Sequence, residues 1–169
     1  MAISKSLEAA YNDQINLELA SSYAYLQMAA FLDAENLPGM SAWMRLQAEE
    51  ERVHAMKFFD FVLEREGHVE LTEIPAPGLS LSTALSAFEG SLAHEHKVTA
   101  AINDLYALAT DERDFASYPL LNWFVEEQIE EESTVGLIVE QLKMIGEDRT
   151  ALLMLDRELG ARQPEAGGE

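Results

Sequence analysis

Apolar residues recur at alternating spacings of three and four along four long stretches of the chain, and clusters of glycine and proline separate these stretches. This spacing puts the apolar residues on one face of an α-helix, as is typical of helices that pack around a shared core. Asp114 or Ser117 is a candidate cap for the fourth helix, just before Pro119. The pattern predicts helices at about 4–33, 38–66, 82–110 and 114–145, and a short fifth helix at about 148–159.

The links between these segments predict how the helices are arranged. The first two helices, and likewise the third and fourth, are joined by short links, so each pair should form an antiparallel hairpin. Roughly 15 extended residues between the second and third helices can reach about 50 Å, which exceeds the ~45 Å length of a 30-residue helix. The sequence therefore predicts an all-α four-helix bundle with one long crossover and a short fifth helix. We expect residues 1–160 to form one domain and residues 161–169 to form a disordered tail.

Polar side chains interrupt all four apolar seams near the middle of each helix. The interruptions are Glu18 in the first helix, Glu51 and His54 in the second, Glu95 in the third, and Gln128 and Glu131 in the fourth. The midpoints of neighbouring helices in a bundle lie at the same height. We therefore expect these six side chains to meet at one level of the core.

Burying four carboxylates together costs many kcal/mol in repulsion and lost hydration unless something compensates. No Lys or Arg lies on the seams at this level. Protonation can neutralise the cluster, and so can two divalent cations with neutral His54 as a further ligand. Glu51 and His54 are three residues apart, which places both on one helical face. Because two divalent cations balance four carboxylates, the pattern indicates a two-metal centre. Its oxygen-rich ligands and single imidazole favour Fe(II) or Mn(II).

Four further residues near this level admit two interpretations. Glu50, Glu127 and Glu130 lie one position off the seams, either as a solvated acidic face or as a third metal position. Tyr25 lies two turns from Glu18 on the same face, either as core packing or as a redox or hydrogen-bonding group beside the metals. The spacing alone does not choose between these roles.

Composition narrows the function classes. The absence of cysteine excludes disulfide frameworks, Cys-ligated zinc, iron–sulfur clusters and thiol catalysis. Asp and Glu total 31 against 11 Lys and Arg, a net charge of −20 that disfavours nucleic acid and anionic membranes as partners. No signal-like segment or membrane-length apolar run is present, so we expect a soluble, cytoplasmic protein.

The motifs around these residues resemble those of the non-haem bacterial ferritins. They are NLELASSYAYLQM around Glu18, QAEEERVH around Glu51 and His54, HEHK around Glu95, NWFVEEQIEEE around Gln128 and Glu131, and ALLMLDREL in the fifth helix. A Glu from each of two helices with Glu-x-x-His motifs is the pattern of ferritin-like di-iron proteins. The resemblance implies a first iron bound by Glu18, Glu51 and His54, and a second bound by Glu51, Glu95 and Glu131, with Gln128 nearby.

The resemblance also implies features that the spacing leaves open. A third iron position would involve Glu50, Glu127, Glu130 and Glu131, and Tyr25 would be the tyrosine near the centre. Bacterioferritins have a haem-ligating Met directly after the Glu of the second-helix motif, where this chain has Arg52, so no haem is expected. The fourth helix also carries Gln128 and Glu131 instead of their second Glu-x-x-His motif.

By resemblance, the expected function is iron storage with ferroxidase activity. Family members assemble 24 subunits into a hollow cage, oxidise Fe(II) with O₂ or peroxide, and store the ferric mineral inside. A di-iron peroxidase or oxidase without storage is the alternative enzyme, and a metal-free structural bundle is the non-enzymatic one. The apolar fifth helix either caps its own bundle or, as the resemblance favours, meets its symmetry mates around a channel of the cage.

Overall fold

The computed structural model describes residues 2–164, and within that range the chain folds into five α-helices. None of these helices is both long enough and apolar enough to cross a lipid bilayer. A short 3-10 turn at Phe115–Ser117 precedes the fourth helix. The helices are α1 (Lys5–Ala34), α2 (Pro38–Glu64), α3 (Ala84–Asp111), α4 (Tyr118–Ile145) and α5 (Arg149–Leu159).

The predicted bundle with a long crossover and a short fifth helix is confirmed. Helix α1 packs along α2, α3 packs along α4, and α1 also contacts α3. The fourth helix begins at Tyr118, later than the expected 114, because the preceding residues form the 3-10 turn. In that turn the Ser117 hydroxyl donates to Asp114 at 2.5 Å and makes no side-chain cap to α4.

The apolar core is divided into two halves by the level of polar side chains. One half is built around Trp43 and Phe88, whose ring centroids lie 5.3 Å apart. The other half is built around Tyr11 and the stacked pair Phe58 and Phe124, with centroids 4.0 Å apart. Fully burying an aliphatic or aromatic side chain contributes about 1.5–3 kcal/mol. These two halves therefore hold the four long helices rigidly on both sides of the polar level.

The crossover between α2 and α3 is fastened along α1 by two asparagines. Asn12 donates to the carbonyl of His68 at 2.8 Å and accepts from the amide of Glu70 at 2.6 Å. One turn later, Asn16 donates to the carbonyl of Glu70 at 2.9 Å and accepts from the amide of Thr72 at 2.9 Å. Each side-chain amide thus forms hydrogen bonds with backbone groups of the crossover, which would otherwise bond only to water.

Helix α5 packs against its own bundle at the start of α2. The N-cap residue of α2, Leu37, cannot cap the helix with its side chain, and buried Asp156 of α5 instead accepts a hydrogen bond from the amide of Met40 at 2.8 Å. The carboxylate thus satisfies one of the free N–H groups at the N-terminus of α2 and complements the helix dipole. A Cβ atom on Gly39 would lie 1.8 Å from the carbonyl oxygen of Asp156, so only glycine permits this close approach.

The two placements considered for α5 are therefore not exclusive. Leu155 is buried against the bundle, whereas Leu153 and Met154 remain 49% and 67% exposed. A contact between this exposed face and other subunits stays a prediction. The expected single-domain boundary and disordered tail also stay predictions. Residues 165–169 lie outside the described residues, and Arg162 contacts α2.

We expect Gly39→Ala to displace α5, because the added methyl group would collide with backbone atoms that cannot rotate away. Asp156→Ala removes a helix cap, a loss that typically costs about 1 kcal/mol. Both variants should lower the thermal midpoint and speed amide hydrogen exchange at the start of α2. Exposed Glu158→Ala is the matched control and should leave both unchanged. Unchanged exchange in Asp156→Ala would contradict the capping role.

Candidate metal centre

The six side chains that interrupt the seams meet at one level of the bundle, as predicted. Their exposed fractions are 0% for Glu18, 1% for Glu51, 4% for His54, 0% for Glu95, 3% for Gln128 and 7% for Glu131. Each belongs to the buried face of its own helix. The four long helices therefore place four carboxyl groups and one imidazole in the interior.

Glu18, Glu51 and His54 form the first half of the site. Each offers one ligand atom, and these atoms lie within 4.8 Å of one another. The Nδ1 atom of His54 lies 3.5 Å from Oε2 of Glu51. The buried Oε2 atoms of Glu18 and Glu51 accept no hydrogen bond within the described part of the chain. Buried oxygens without donors are costly, and a bound cation would satisfy them, so these three residues fit a metal ion.

Glu95, Glu131 and Gln128 form the second half of the site, where neutral groups donate to the carboxyl groups. The Tyr25 hydroxyl donates a short hydrogen bond to Oε1 of Glu95. The side-chain amide of Gln128 lies 3.2 Å from Oε2 of Glu95, and that of Gln47 donates to Oε2 of Glu131 at 2.9 Å. These bonds orient the carboxyl groups without adding any positive charge.

Burial raises the pKa of all four carboxyl groups in the cluster, and repulsion within the cluster raises it further for Glu18, Glu51 and Glu131. Burial is the main cause for Glu18 and Glu51, followed by the charge of Glu51 on Glu18 and of Glu95 on Glu51, and both pKa values lie well above 4.5. Burial also raises the pKa of Glu95. For Glu131, burial and then the charge of Glu95 raise the pKa to about 8. Near neutral pH the metal-free cluster therefore holds protons that a metal ion must displace.

Tyr25 contacts the cluster directly and is fully buried. Its hydroxyl lies 2.8 Å from Oγ of Ser91, in addition to its bond to Glu95. Burial, and then the negative charge of Glu95, raise the pKa of Tyr25 well above 10. The phenol therefore stays protonated and donates a hydrogen bond to a candidate metal ligand. Of the two interpretations of Tyr25, this contact favours a hydrogen-bonding role over core packing alone.

The three candidates for a third metal position lie in different surroundings. Oε1 of Glu127 lies 3.8 Å from Nε2 of His54, the ring nitrogen that does not face Glu51. Metal-binding histidines commonly donate their second ring N–H to a carboxylate, and Glu127 is a candidate for this role that lies just beyond hydrogen-bond distance. Glu50 is paired with Arg162, with Nη2 at 2.7 Å from Oε2. Glu130 is exposed. A third metal position at these residues stays a prediction.

Several contacting residues were absent from the predicted site. Gln14 donates to Oε1 of Glu18 at 2.7 Å. Gln14 and Gln47 each precede a predicted ligand by four residues on the same seam, and this spacing could have revealed both of them. Thr99 accepts from Gln128 at 3.2 Å and donates to Glu132 at 2.5 Å. Arg162 follows the last helix, where no periodic pattern could connect it to the site.

Comparison with known proteins gives a consistent result at three levels. Residues 8–145 match the profile of the ferritin-like domain. Proteins named bacterial non-heme ferritin from Staphylococcus aureus and Staphylococcus epidermidis are 39% and 41% identical over 160 residues, covering 95% of this chain and 96% of each relative. An open pore ferritin from the archaeon Archaeoglobus fulgidus is 49% identical, with a TM-score of 0.93 over 95% of this chain and 98% of that one.

A second solved structure extends this comparison. It is a form of the Archaeoglobus fulgidus ferritin engineered to be closed, 49% identical, with a TM-score of 0.93 over 96% of this chain and 99% of that one. The solved structures thus cover nearly all of this chain, and the stretch matched by the family profile, residues 8–145, contains the whole buried site. On the strength of the profile match, the identity to these relatives and the shared structure, the chain belongs to the ferritin family.

Proposed function

We propose that this protein stores iron and acts as a ferroxidase, with Fe(II) as the substrate of the buried site. The observation that carries the proposal is the first half of the site. Glu18, Glu51 and His54 each bring one ligand atom within 4.8 Å of the others, and one buried oxygen of each carboxylate has no hydrogen-bond donor in the described part of the chain. Such a set supplies oxygen and nitrogen ligands of the kind that Fe(II) accepts. The family assignment supports iron as the metal.

In this proposal two Fe(II) ions bind side by side. Glu18, Glu51 and His54 bind one ion, and Glu51, Glu95 and Glu131 bind the other, so Glu51 contacts both. Each Fe(II) gives up one electron, and O₂ accepts both electrons with two protons to form H₂O₂. Where peroxide is the oxidant, two electrons and two protons reduce it to two molecules of water.

The surrounding residues orient the ligands and exclude water. Tyr25 and Gln128 hold Glu95 through its two carboxylate oxygens, and Gln47 holds Glu131. The rings of Trp123 and Phe124 pack edge-on to His54, with centroids at 5.5 and 5.6 Å. A site fixed by such outer contacts undergoes little rearrangement when its metal ions change charge.

Storage requires an enclosed assembly, and we propose a closed shell of 24 subunits. Two observations support this. The solved relatives are ferritins with closely similar folds. Helices α4 and α5 also expose apolar side chains that suit subunit contacts, with Met144 86% and Met154 67% exposed. A cytoplasmic location and a third iron position belong to the same proposal.

Fe(II) oxidation stoichiometry, measured together with particle size and iron retained per chain, tests the proposal as a whole. Storage predicts a large particle that retains many irons per chain. A di-iron peroxidase or oxidase predicts turnover with few irons retained, and a structural bundle predicts no binding above background. A chain that sediments as a monomer at micromolar concentration would rule out storage, because a mineral needs an enclosed cavity.

Glu51→Ala should abolish rapid Fe(II) oxidation, since one side chain serves both metal ions. We expect the initial rate to fall by at least about 100-fold, more than the loss of an outer contact typically causes. Stopped-flow absorbance of Fe(III) formation measures this rate. Glu49→Ala, two residues away and exposed, is the matched control. Unchanged kinetics in Glu51→Ala would refute the assignment of the site.

Metal binding should release protons in a pH-dependent manner. The raised pKa values mean that the folded apoprotein binds more protons than the unfolded chain between about pH 4.5 and 8. Its stability should therefore fall as pH rises through this window, by several kcal/mol for the shift of Glu131 alone. Redox-inert Zn(II) should release protons at pH 6.5, and fewer above pH 8. Calorimetry in buffers of different ionisation enthalpy counts the protons, and Glu131→Gln should release fewer.

Glu127→Ala and Glu130→Ala should differ in effect. Glu127 lies beside the second ring nitrogen of His54, so its removal should slow the fast oxidation phase by about tenfold. Glu130 is exposed, and its removal should preserve the fast phase while changing the number of irons oxidised per O₂. Glu126→Ala, exposed on the same helix, controls for charge. Loss of the fast phase in Glu130→Ala would show that assigning Glu130 to the third iron position, and not to the paired-iron site, is wrong.

A further inference from the structure

The chain that follows α5 returns to α2 and places one arginine beside the metal centre. Nη2 of Arg162 lies 2.7 and 3.0 Å from the two carboxylate oxygens of Glu50. Nη1 donates a short hydrogen bond to Oε1 of Gln47. The guanidinium carbon lies 5.0 Å from the centroid of the Trp43 ring. Two polar contacts and one aromatic contact thus hold the guanidinium against a single helix.

The contact with Gln47 continues to a candidate metal ligand. A guanidinium group only donates hydrogen bonds, so the amide of Gln47 must turn its oxygen toward Arg162. The amide nitrogen must then point the other way, where it donates to Oε2 of Glu131 at 2.9 Å. Arg162 and Glu131 therefore favour the same orientation of the Gln47 amide, and the contact with Arg162 supports the bond from Gln47 to Glu131.

The contact with Glu50 places a positive charge at the edge of the carboxylate cluster. Glu50 lies close enough for its charge to act on both Glu51 and Glu131. A metal ion that binds Glu50 must compete with the guanidinium, since Arg162 already contacts both carboxylate oxygens. A charge-assisted, two-oxygen pair of this kind is among the stronger side-chain interactions.

We propose that Arg162 is a positioning residue of the metal centre, acting as a built-in cation at Glu50 and as the anchor that orients Glu131 through Gln47. This inference rests on the proposed function for its effect on oxidation, but its effect on metal binding is independent of oxidation. The C-terminal segment thereby adjusts how many ions the centre holds and how well the second ion is bound.

A purely structural role for Arg162 makes different predictions. As an anchor of the chain end, it would contribute to thermal stability and leave metal affinity and kcat unaltered. A positioning role instead changes metal affinity and the rate of oxidation in opposite directions. Removing the guanidinium takes one competing cation away from Glu50 and loosens Glu131.

Four variants of the full-length chain separate these roles. Arg162→Ala removes both contacts, and Arg162→Lys keeps the charge but loses the fork that reaches Glu50 and Gln47 together. Gln47→Leu removes the connection from Arg162 to Glu131 but keeps the pair between Arg162 and Glu50. Arg157→Ala, exposed on α5, is the matched control with the same change of charge. Calorimetric Zn(II) titration reports metal binding without oxidation, and stopped-flow Fe(II) oxidation reports KM and kcat.

The expected pattern differs for each variant. In Arg162→Ala, the weakest class of Zn(II)-binding sites should bind the ion about three- to tenfold more tightly, in line with a lost charge-assisted pair. The kcat of this variant should fall by a similar factor. Arg162→Lys should restore the wild-type affinity of that class without restoring kcat. Gln47→Leu should lower kcat and leave the weakest class unchanged. Arg157→Ala should behave as wild type in both measurements.

Three outcomes would overturn the proposal. The first is an Arg162→Ala protein whose Zn(II) isotherm and kcat match the wild type, with only the thermal midpoint lowered. The second is an equal change in Arg157→Ala, which would indicate a general effect of net charge. The third is a normal kcat in Gln47→Leu. A wild-type chain that binds Zn(II) but fails to oxidise Fe(II) would instead refute the proposed function and leave the Zn(II) comparison intact.

Discussion

Mutual repulsion among four buried carboxyl groups is the constraint on which the rest of this structure depends. Glu18, Glu51, Glu95 and Glu131 lie within one level of a bundle that is otherwise apolar, and burial keeps their pKa values raised. Such a cluster persists only if protons or cations neutralise it. The fold accordingly surrounds it with neutral donors, chiefly a tyrosine and three glutamine side chains, that orient the groups without replacing a metal ion.

The two apolar halves of the core make this arrangement sustainable. Each long helix is held by packing above and below the polar level, so the helices cannot separate to let the carboxyl groups reach water. The termini add to this rigidity, since Ser4 and Thr83 cap α1 and α3 and Asp148 caps α5. Helix α2 has no such local cap and depends on Asp156, which links the fifth helix to the element that carries both Glu51 and His54.

Membership of the ferritin family gives this site its chemical context, and the C-terminal segment adds a feature of its own. Asp156 of α5 contacts the start of α2, and Arg162 contacts α2 again closer to the metal centre. The segment from Asp156 to Arg162 thus contacts both the N-terminus of α2 and the residues that surround the candidate ligands.

The sequence by itself determined the helices, the crossover and the six buried polar residues, because helical periodicity and seam interruptions are local patterns. It also indicated Tyr25, although only the tertiary structure showed its bond to Glu95. The partners of the cluster were decided by folding. Gln47 meets Glu131 across two helices, and Arg162 reaches Glu50 from 112 residues away. Such contacts depend on how separate elements pack, and no spacing along one helix encodes them.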